Sequence, residues 1–294
     1  MNISVIGGGR WGQALHFAFS QNHESVITSR TKKDIPNFVS LEKALDNEYI
    51  VMALPAQIVG DWLKKNFKYN NQKILIAAKG IEEKSGRFLN EIFLDFVPSS
   101  ALAYLSGPSF AAEVMKALPT ALVVSSKNKE MAKEFCAFFP RFIKSYADDD
   151  IVGAEVSGAY KNVLAIASGV CDGLDLGLNA RASLIARGLV EMQRFGLSFG
   201  AKEATFLGLS GAGDLFLTAS SVLSRNYRVG AALAKGSKLD EILHDLGEVA
   251  EGVLTSRAIN KISKERNIYT PIAREVSMII DGKSPLESLK DLLA

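Results

Sequence analysis

Two lysines occupy positions from which they could act on a substrate. Lys79 follows the apolar run at residues 74–78, so it projects from the carboxyl end of a predicted strand, the edge where open α/β sheets bind ligands. Lys161 lies among small and apolar residues, where burial of an unpaired charge would be costly. An ammonium group whose pKa is lowered by burial can protonate a developing alkoxide and stabilise its charge. From the residues alone, an exposed surface position explains either lysine equally well.

A glycine-rich motif begins directly after the first strand-like run. Gly7, Gly9 and Gly12 satisfy the pattern G-x-G-x-x-G, and a segment of helical spacing follows. In such a turn the first glycine permits a tight bend, the second lets the backbone approach a pyrophosphate, and the third allows the helix to pack closely on the strand. The amino end of the helix supplies N–H groups and a positive dipole to the phosphates. Because the motif lies within a βαβ pattern, it predicts a nucleotide site rather than a merely flexible turn.

A basic segment follows the second strand-like run. A strictly NAD-dependent protein would carry an acid there to bond the adenosine ribose 2′-hydroxyl, and this sequence has none. Arg30, Thr31, Lys32 and Lys33 instead offer cations and a hydroxyl that could meet a 2′-phosphate or stack on adenine. A solvated basic loop is the alternative. The segment predicts that NADP is at least tolerated, and it is compatible with NAD.

Several other chemistries are unsupported. His16, His23 and His244 do not lie beside a carboxylate or a second histidine at metal-ligand or triad spacing. The sequence has no G-x-S-x-G elbow and no P-loop, which removes the common hydrolase and phosphoryl-transfer interpretations. Cys136 and Cys171 are far apart, so they predict neither a disulfide framework nor a thiol cluster for a metal. We therefore expect no metal and a reducing compartment.

Two polar groups interrupt the apolar segments of the second half. The turn that ends at Asp214 places one carboxylate after small residues, and Ser224, Arg225 and Asn226 place a hydroxyl, a guanidinium and an amide in succession. Arginine with serine and asparagine donors suits a phosphate or a carboxylate. A helix cap and a surface turn are the alternative, since Ser, Asn and Asp are ordinary capping residues.

The pattern of apolar residues predicts a sheet half and a helical half. Short apolar runs alternate with segments of helical spacing, which indicates βαβ units and, because the runs are continuous, a parallel sheet buried on both faces. After residue 146 the strand-like runs disappear, and residues 184–195 show apolar positions at helical spacing. The acidic turn at residues 148–150 can cap the first helix of the second half. We predict domains at residues 1–147 and 148–294, with the site in a cleft between them. The predicted strands lie at residues 3–6, 26–28, 49–53, 74–78, 102–105 and 121–124.

Composition favours a soluble globular protein. The chain has 294 residues, 48% of them hydrophobic, and its 34 basic and 32 acidic side chains leave a formal charge of +2. This balance argues against a dedicated nucleic-acid binder, a polybasic membrane anchor or a disordered tail. No charged leader precedes the first strand, and no run approaches the roughly 18 apolar residues of a membrane span. We expect no membrane span, no nucleic-acid partner and a cytoplasmic location.

Taken together, these motifs resemble those of bacterial-type NAD(P)-dependent glycerol-3-phosphate dehydrogenases. The resemblance runs from the first strand to beyond Glu251, nearly the whole chain, and the order and spacing of the motifs make it specific. The motifs are IGGGRWG at residues 6–12, AKGIE at 78–82, SGPSFA at 106–111, GAYKN at 158–162, LSGAGDL at 209–215, SRN at 224–226 and EG at 251–252.

The resemblance implies a fold and a reaction. The fold is a Rossmann-like dinucleotide-binding domain followed by an all-α C-terminal domain like that of 6-phosphogluconate dehydrogenase, often in a homodimer. The reaction is reversible hydride transfer between NAD(P)H and dihydroxyacetone phosphate, which gives sn-glycerol 3-phosphate for glycerophospholipid synthesis. Carried over by motif, Lys161 is the general acid in ketone reduction and the base in alcohol oxidation, supported by Asn162, Asp214 and Lys79.

The same resemblance implies the binding residues. Arg225 would serve both the substrate phosphate and the cofactor, and Lys79 would reach both ligands. The other residues implied at the substrate are Gly107, Ser109, Lys161, Asp214, Ser224 and Asn226. The other residues implied at the NAD(P)H cofactor are Gly7, Gly9, Arg10, Trp11, Gly12, Arg30, Ala111, Val249 and Glu251.

Two other functions stay open from the sequence. A β-hydroxyacid or 2-ketopantoate reductase shares this architecture and also uses a lysine and an asparagine, but it requires a carboxylate on its ligand, and the triplet at residues 224–226 disfavours it. A nucleotide-sensing protein would bind NAD(P)H without turnover. The complete set of chemical groups in this chain argues against that function.

Overall fold

The computed structural model describes residues 2–247 and 250–293, and a seven-stranded sheet dominates the first half. The strands are β1 (Asn2–Ile6), β2 (Glu24–Thr28), β3 (Tyr49–Met52), β4 (Lys73–Ile76), β5 (Leu102–Ser106), β6 (Thr120–Ser126) and β7 (Ile143–Asp148). They stand in the order β2-β1-β3-β4-β5-β6-β7. Each predicted apolar run overlaps one of the first six strands, so the predicted alternation of strands and helices is confirmed.

One neighbouring pair of strands is antiparallel. β5 and β6 run in opposite directions, with Ala103 opposite Ser126, whereas the other neighbours are parallel. The prediction of a parallel sheet is therefore wrong for this one pair. The connection between the two strands contains a helix of four residues, α5 (Ala111–Val114). The whole connection, residues 107–119, is the shortest between successive strands of the sheet, and a short connection favours an antiparallel return because a parallel one needs a longer crossover.

β7 lies outside the predicted runs. It is the edge strand beside β6, with Thr120 opposite Ile143 and Ser125 opposite Asp148. Part of the strand faces solvent, and Tyr146 is 49% exposed. An edge strand of this kind needs no continuous apolar sequence, which is why the apolar pattern did not predict it.

Helices cover both faces of the sheet. Val51 and Leu75 pack in the core that includes the first and sixth helices, whereas Ile50 and Ile74 pack in the core on the opposite face. Successive residues of a strand point to opposite faces, so the predicted burial of both faces is confirmed. The helices of this half are α1 (Arg10–Ser20), α2 (Leu41–Leu45), α3 (Ala56–Asn66), α4 (Leu89–Phe93), α5 and α6 (Lys129–Phe138), with a short 3-10 helix at Ser99–Ala101.

The second half is helical, as predicted. None of the helices within residues 2–247 and 250–293 combines the length and the apolar character that crossing a membrane would require. The elements are α7 (Ile151–Gly173), α8 (Gly177–Leu197), α9 (Glu203–Leu207), a π-helix (Leu209–Gly213), α10 (Asp214–Ala219), α11 (Arg225–Ala234), α12 (Leu239–Leu246), α13 (Glu251–Arg266), α14 (Pro271–Ile280) and α15 (Pro285–Leu293).

α7 is the central helix of this half. It is buried along most of its length and packs against α8, α10, α11 and α13. Glycines bring α7 and α11 together: an added Cβ at Gly230 would lie 1.9 Å from Ile166 O, and one at Gly169 would lie 2.0 Å from Tyr227 O. This close approach fixes α7, which carries Lys161, against its neighbour.

One carboxylate ties the start of α7 to the segment that leads to α10. Asp150 is buried, and its Oδ1 accepts a hydrogen bond from Gly153 N at 2.9 Å, which confirms the expected helix cap. Its Oδ2 accepts from Lys202 N at 2.9 Å and from Thr205 Oγ1 at 2.6 Å. The second pair of contacts holds the beginning of α9, and α9 leads through the π-helix to Asp214.

Candidate active site

The centre of the site is one buried carboxylate between two ammonium groups. Asp214 is fully buried, Lys79 Nζ donates to its Oδ2 at 2.7 Å, and Lys161 Nζ donates to its Oδ1. Lys161 Nζ also donates to Thr218 Oγ1 at 3.0 Å. Lys79 comes from the sheet half, and the other three residues come from the helical half. The structure therefore brings the two candidate lysines together across the two halves.

The local backbone explains how these side chains reach one point. Lys79 lies beyond the end of β4, and the next residue, Gly80, has a φ of +142°, a conformation that favours glycine. Asp214 follows the π-helix, in which an added Cβ at Gly211 would lie 2.2 Å from Phe206 O. Glycine is thus required for the wide turn that precedes the carboxylate. Single π-helical turns are frequent at functional sites.

Burial and charge set the ionisation of the pair. Lys161 is 7% exposed and the Lys79 side chain 16%. Burial lowers the pKa of Lys161 to about 7 against the opposing effect of the Asp214 carboxylate, and the Lys79 ammonium lowers it further. Burial acts to raise the pKa of Asp214, but the two ammonium charges outweigh it and hold that pKa below its ordinary value. A lysine that titrates near neutrality can both donate and accept a proton.

Two buried amides link three helices beside the lysine. Asn162 Oδ1 accepts from Asn226 Nδ2 at 3.0 Å, and Asn226 Oδ1 accepts from Gly252 N at 3.0 Å. Asn162 Nδ2 donates to Gly158 O at 3.2 Å. These contacts join α7, α11 and α13, so they fix the helical framework around Lys161.

Glu251 begins α13 and faces the sheet half. Its Oε1 accepts from Ala56 N at 3.4 Å, and an added Cβ at Gly80 would lie 3.0 Å from its Oε2. Burial raises the pKa of Glu251 to about 7, opposed by the hydrogen bond from Ala56 and by the charge of Arg225. Among the described residues, Glu251 Oε2 has no hydrogen-bond partner. A buried polar atom of this kind fits a bound ligand that brings a polar group to the turn after β4.

A second loop lies beside the lysines. Gly107 follows β5 with a φ of +108°, and its carbonyl oxygen accepts from Lys79 Nζ at 3.4 Å and from Ser109 Oγ at 3.2 Å. An added Cβ at Gly107 would lie 2.9 Å from Ala121 O, so glycine is required there. Ala111, which was predicted to contact the cofactor, begins α5 shortly afterwards.

The triplet predicted to bind phosphate forms the start of α11. Ser224 Oγ accepts from Tyr227 N at 3.3 Å, so Ser224 is the helix cap that the alternative interpretation expected. Arg225 is exposed, whereas Asn226 is buried and pairs with Asn162. The triplet thus presents one exposed guanidinium next to a buried amide.

The glycine-rich turn has the shape that the motif predicted. Gly7 has a φ of +124°, and an added Cβ at Gly12 would lie 1.8 Å from Gly7 O. Packing within the chain therefore requires the first and third glycines. Gly9 differs, since a Cβ there would meet no heavy atom within 4 Å. Gly9 precedes α1 without a side-chain cap, which leaves the first amides of the helix suited to a phosphate.

Neighbouring groups fit the same ligand. Trp11 Nε1 donates to Ala77 O at 3.0 Å, which fixes the indole beside the end of β4. Lys33 Nζ donates to Gly8 O at 2.6 Å, so the basic segment lies directly against the glycine-rich turn. Arg30 is exposed in the same segment. An uncapped helix start with cations beside it is the donor set that a phosphate-bearing dinucleotide requires.

One predicted site residue lies outside the described part of the chain, and one contact of Lys161 was not predicted. Val249 lies outside the described residues, and Arg10 is exposed as the first residue of α1. Thr218 was not predicted, although it accepts from Lys161 Nζ and lies one helical turn after Asp214. The spacing of i and i+4 on one helix could have pointed to it. Within the part of the chain that the structure describes, no group of three His, Cys, Asp or Glu residues could hold a metal ion.

Comparison with known proteins covers both halves of the chain. The family model described as the NAD-dependent glycerol-3-phosphate dehydrogenase N-terminus matches residues 28–132, and the corresponding C-terminus model matches residues 150–291. A glycerol-3-phosphate dehydrogenase (NAD(P)+) of Sulfurimonas denitrificans is 60% identical over 292 residues, with 99% of each chain covered. One from Campylobacter jejuni subsp. jejuni serotype O:6 is 62% identical over 293 residues, with 100% of this chain and 99% of the other covered.

Solved structures of similar fold include a member of the same family. A glycerol-3-phosphate dehydrogenase from Coxiella burnetii matches with a TM-score of 0.92 at 30% identity, covering 99% of this chain and 98% of that one. A ketopantoate reductase from Staphylococcus aureus matches with a TM-score of 0.58 at 13% identity, covering 96% and 98%, which is a likeness of fold alone. The predicted fold class is confirmed, and so is the resemblance stated from the motifs. The chain belongs to the NAD-dependent glycerol-3-phosphate dehydrogenase family.

Proposed function

We propose that this chain reduces dihydroxyacetone phosphate with NAD(P)H to sn-glycerol 3-phosphate, reversibly, and that Lys161 is its general acid and base. Membership of the family over nearly the whole chain supports the oxidoreductase activity and the NAD(P)H cofactor. One observation carries the role of Lys161: its buried ammonium group contacts Asp214 at the point where the two halves meet.

The geometry suits proton transfer to a ketone oxygen. The nicotinamide, when bound, supplies the hydride to the carbonyl carbon. Lys161 supplies the proton to the oxygen, where negative charge develops, and in its neutral form takes the proton back from the alcohol. Asp214 Oδ1 and Thr218 Oγ1 accept two of its three N–H groups. The third N–H is left for the substrate oxygen.

The charges around the site suit a phosphorylated substrate. Lys79 and Lys161 share the single carboxylate of Asp214, which leaves an excess of positive charge for an anionic ligand. Arg225 is exposed at the start of α11, where its planar guanidinium can bind a phosphate through two hydrogen bonds. The other residues proposed to hold the substrate are Gly107, Ser109, Ser224 and Asn226.

The cofactor would lie along the carboxyl edge of the sheet, from the glycine-rich turn to the lysines. The amides at the start of α1 would bind its pyrophosphate, as expected of an uncapped helix start. The unpartnered Oε2 of Glu251, beside the turn that carries Lys79, would contact the cofactor as well. The other residues proposed to contact it are Gly7, Gly9, Arg10, Trp11, Gly12, Arg30, Ala111, Arg225 and Val249.

We also propose the cellular setting and the assembly. The product would supply glycerophospholipid synthesis in the cytoplasm, and the active protein would be a homodimer without a nucleic-acid partner. The division into domains at residues 1–147 and 148–294 would allow the cleft to close on the substrate. Because Lys79 reaches Asp214 across that division, closure would change the contacts of the lysine pair.

The activity is tested by following absorbance of the reduced nicotinamide. Purified protein is mixed with dihydroxyacetone phosphate and either NADH or NADPH, and with 2-ketopantoate as a ketone that carries a carboxylate instead of a phosphate. We expect the reduced nicotinamide to be oxidised with dihydroxyacetone phosphate and not with 2-ketopantoate. The rates with NADH and with NADPH give the cofactor preference. Oxidation with 2-ketopantoate alone would support the reductase alternative. Cofactor binding without oxidation by either ketone would support the sensing alternative.

The substrate phosphate is tested with two arginines of α11. Arg225→Ala is expected to raise the KM for dihydroxyacetone phosphate by about tenfold or more, because a charge-assisted bidentate contact is lost. Arg228→Ala is the matched control, since Arg228 is also exposed on α11. An unchanged KM in Arg225→Ala, or an equal change in both variants, would remove Arg225 from phosphate binding.

A further inference from the structure

A buried histidine ties α1 to the segment that follows β2. We call residues 29–38 the basic turn, because this segment carries Arg30 and Lys33 together with Lys32. His16 of α1 is 5% exposed. Its Nε2 lies 2.9 Å from Pro36 O, and its Nδ1 lies 2.9 Å from Ser25 Oγ. One imidazole thus contacts both β2 and the far end of the basic turn.

The partners of the ring fix its tautomer. A carbonyl oxygen only accepts hydrogen bonds, so Nε2 of His16 carries the hydrogen and donates to Pro36 O. Nδ1 of the neutral ring then accepts from the hydroxyl of Ser25. Burial lowers the pKa of His16 against the opposing effect of the hydrogen bond to Pro36. The lowered pKa favours the neutral ring. Both ring nitrogens are satisfied, so rotation of the ring would break two contacts.

The far end and the middle of the basic turn are held by different groups. At its far end, Asn37 adopts a φ of +56°, its O accepts from Ile27 N at 3.2 Å, and its Nδ2 donates to Ser25 O at 3.2 Å. In its middle, Lys33 Nζ donates to Gly8 O in the glycine-rich turn. Residues 30–34, which include Lys33, are exposed. The side chain of His16 adds a direct tie from the helix that begins at the glycine-rich turn.

We propose that His16 is a positioning residue that holds the basic turn where its cations meet the 2′-phosphate of NADPH, and thereby sets the preference for NADPH over NADH. The proposal rests on the proposed function, because it requires the cofactor to lie on the glycine-rich turn. His16 is buried behind the turn and acts through Lys33, whose Nζ lies on Gly8 O. Loss of the tie would let the cation move away from the place where a ribose 2′-substituent lies.

The test measures cofactor binding without turnover. The dissociation constants of NADPH and NADH are determined by fluorescence titration for the wild-type protein, His16→Leu, His16→Gln and His23→Leu. The glutamine amide can still donate to Pro36 O, so His16→Gln is the conservative variant. His23→Leu is the matched control, because His23 lies just after α1 and its ring contacts Phe138, with centroids 5.1 Å apart.

We expect His16→Leu to raise the dissociation constant of NADPH about fivefold or more, the equivalent of one lost hydrogen bond. The dissociation constant of NADH should rise much less. His16→Gln should recover most of the NADPH affinity, and His23→Leu should keep the wild-type ratio of the two constants. When His16→Leu is added to Lys33→Met, the ratio of the NADPH and NADH dissociation constants should change little from that of Lys33→Met alone, because the histidine acts through the lysine. Equal weakening of both cofactors, or additive effects of the two changes, would overturn the proposal.

The test stays decisive if His16→Leu does not fold. Ser25→Ala removes only the partner of Nδ1 and should shift the ratio of the two constants in the same direction by a smaller factor. An unchanged ratio in that variant would reject the proposal. Because binding is measured without substrate, failure to reduce dihydroxyacetone phosphate would refute the proposed function and leave the result for His16 standing.

Discussion

Replacement of Lys79 by methionine is expected to raise the pKa of Lys161. Both ammonium groups donate to the same carboxylate, Lys79 to Asp214 Oδ2 at 2.7 Å and Lys161 to Oδ1. The Lys79 ammonium therefore repels the Lys161 ammonium and also binds one of the two carboxylate oxygens of Asp214. This repulsion accounts for part of the lowering of the Lys161 pKa. In Lys79→Met both effects vanish, while the unbranched side chain keeps its volume.

The size of the shift follows from the geometry. Two unit charges about 5 Å apart repel by about 3 kcal/mol at an effective dielectric constant of about 20, which corresponds to about 2 pKa units. The Lys79 side chain is 16% exposed, so solvent screens part of this repulsion. We expect the pKa of Lys161 to rise by about 1 to 2 units from its value near neutrality.

The assay is the pH dependence of kcat/KM for reduction of dihydroxyacetone phosphate. Reduction requires protonated Lys161, so the rate falls as pH rises through the pKa of that lysine, which is about 7 in the wild-type protein. In Lys79→Met this fall should move to higher pH, although the absolute rate also drops. Lys79→Arg keeps the positive charge and should leave the fall near its wild-type position. An unmoved or lowered midpoint in Lys79→Met would refute the reasoning.

Three buried residues, Glu155, Asp150 and Gly12, support the fold around the site. Burial raises the pKa of Glu155 to about 8, so the folded state keeps a proton that the unfolded chain releases above about pH 4.5, and stability falls as pH rises between these values. Glu155→Gln should therefore match the wild-type melting temperature near pH 4.5 and exceed it at pH 8; equal melting at pH 8 would contradict the buried neutral acid. Asp150→Ala removes three hydrogen bonds and should lower the free energy of unfolding in urea by about 2 to 4 kcal/mol; a loss within error would contradict its role in joining α7 to α9. Gly12→Ala places a Cβ 1.8 Å from Gly7 O and should abolish cofactor binding in a fluorescence titration, whereas normal affinity would mean that the turn can move aside.

The features that were predictable from the sequence are those with local physical causes. The glycine-rich turn follows from steric rules that apply to a few neighbouring residues, and the structure shows the close approach at Gly12 that those rules require. The six apolar strands were predictable because strands buried on both faces need continuous apolar runs. β7 and the antiparallel pairing of β5 with β6 were not predictable. The exposure of an edge strand and the direction in which a strand runs depend on the arrangement of the whole sheet.

The site was predictable in its residue types and not in its contacts. From the residues alone, Lys79 and Lys161 were as compatible with the surface as with a site, because burial depends on packing between distant segments. Family motifs supplied the assignment, and the structure shows that both lysines meet Asp214. Thr218 and His16 were missed. The spacing of Thr218 four residues after Asp214 points to the site only once Asp214 is placed there, and a lone histidine carries no signal until its partners are known.

The most direct test of the central claim is the turnover of Lys161→Ala, measured with and without a small primary amine. The shortened side chain leaves space in the buried site for the amine, which can take over the proton transfer. We predict that dihydroxyacetone phosphate reduction falls by a factor on the order of 100 or more, that the dissociation constant of the cofactor stays unchanged, and that added amine restores part of the rate. Near-normal turnover without amine would contradict the assignment of Lys161 as the proton donor.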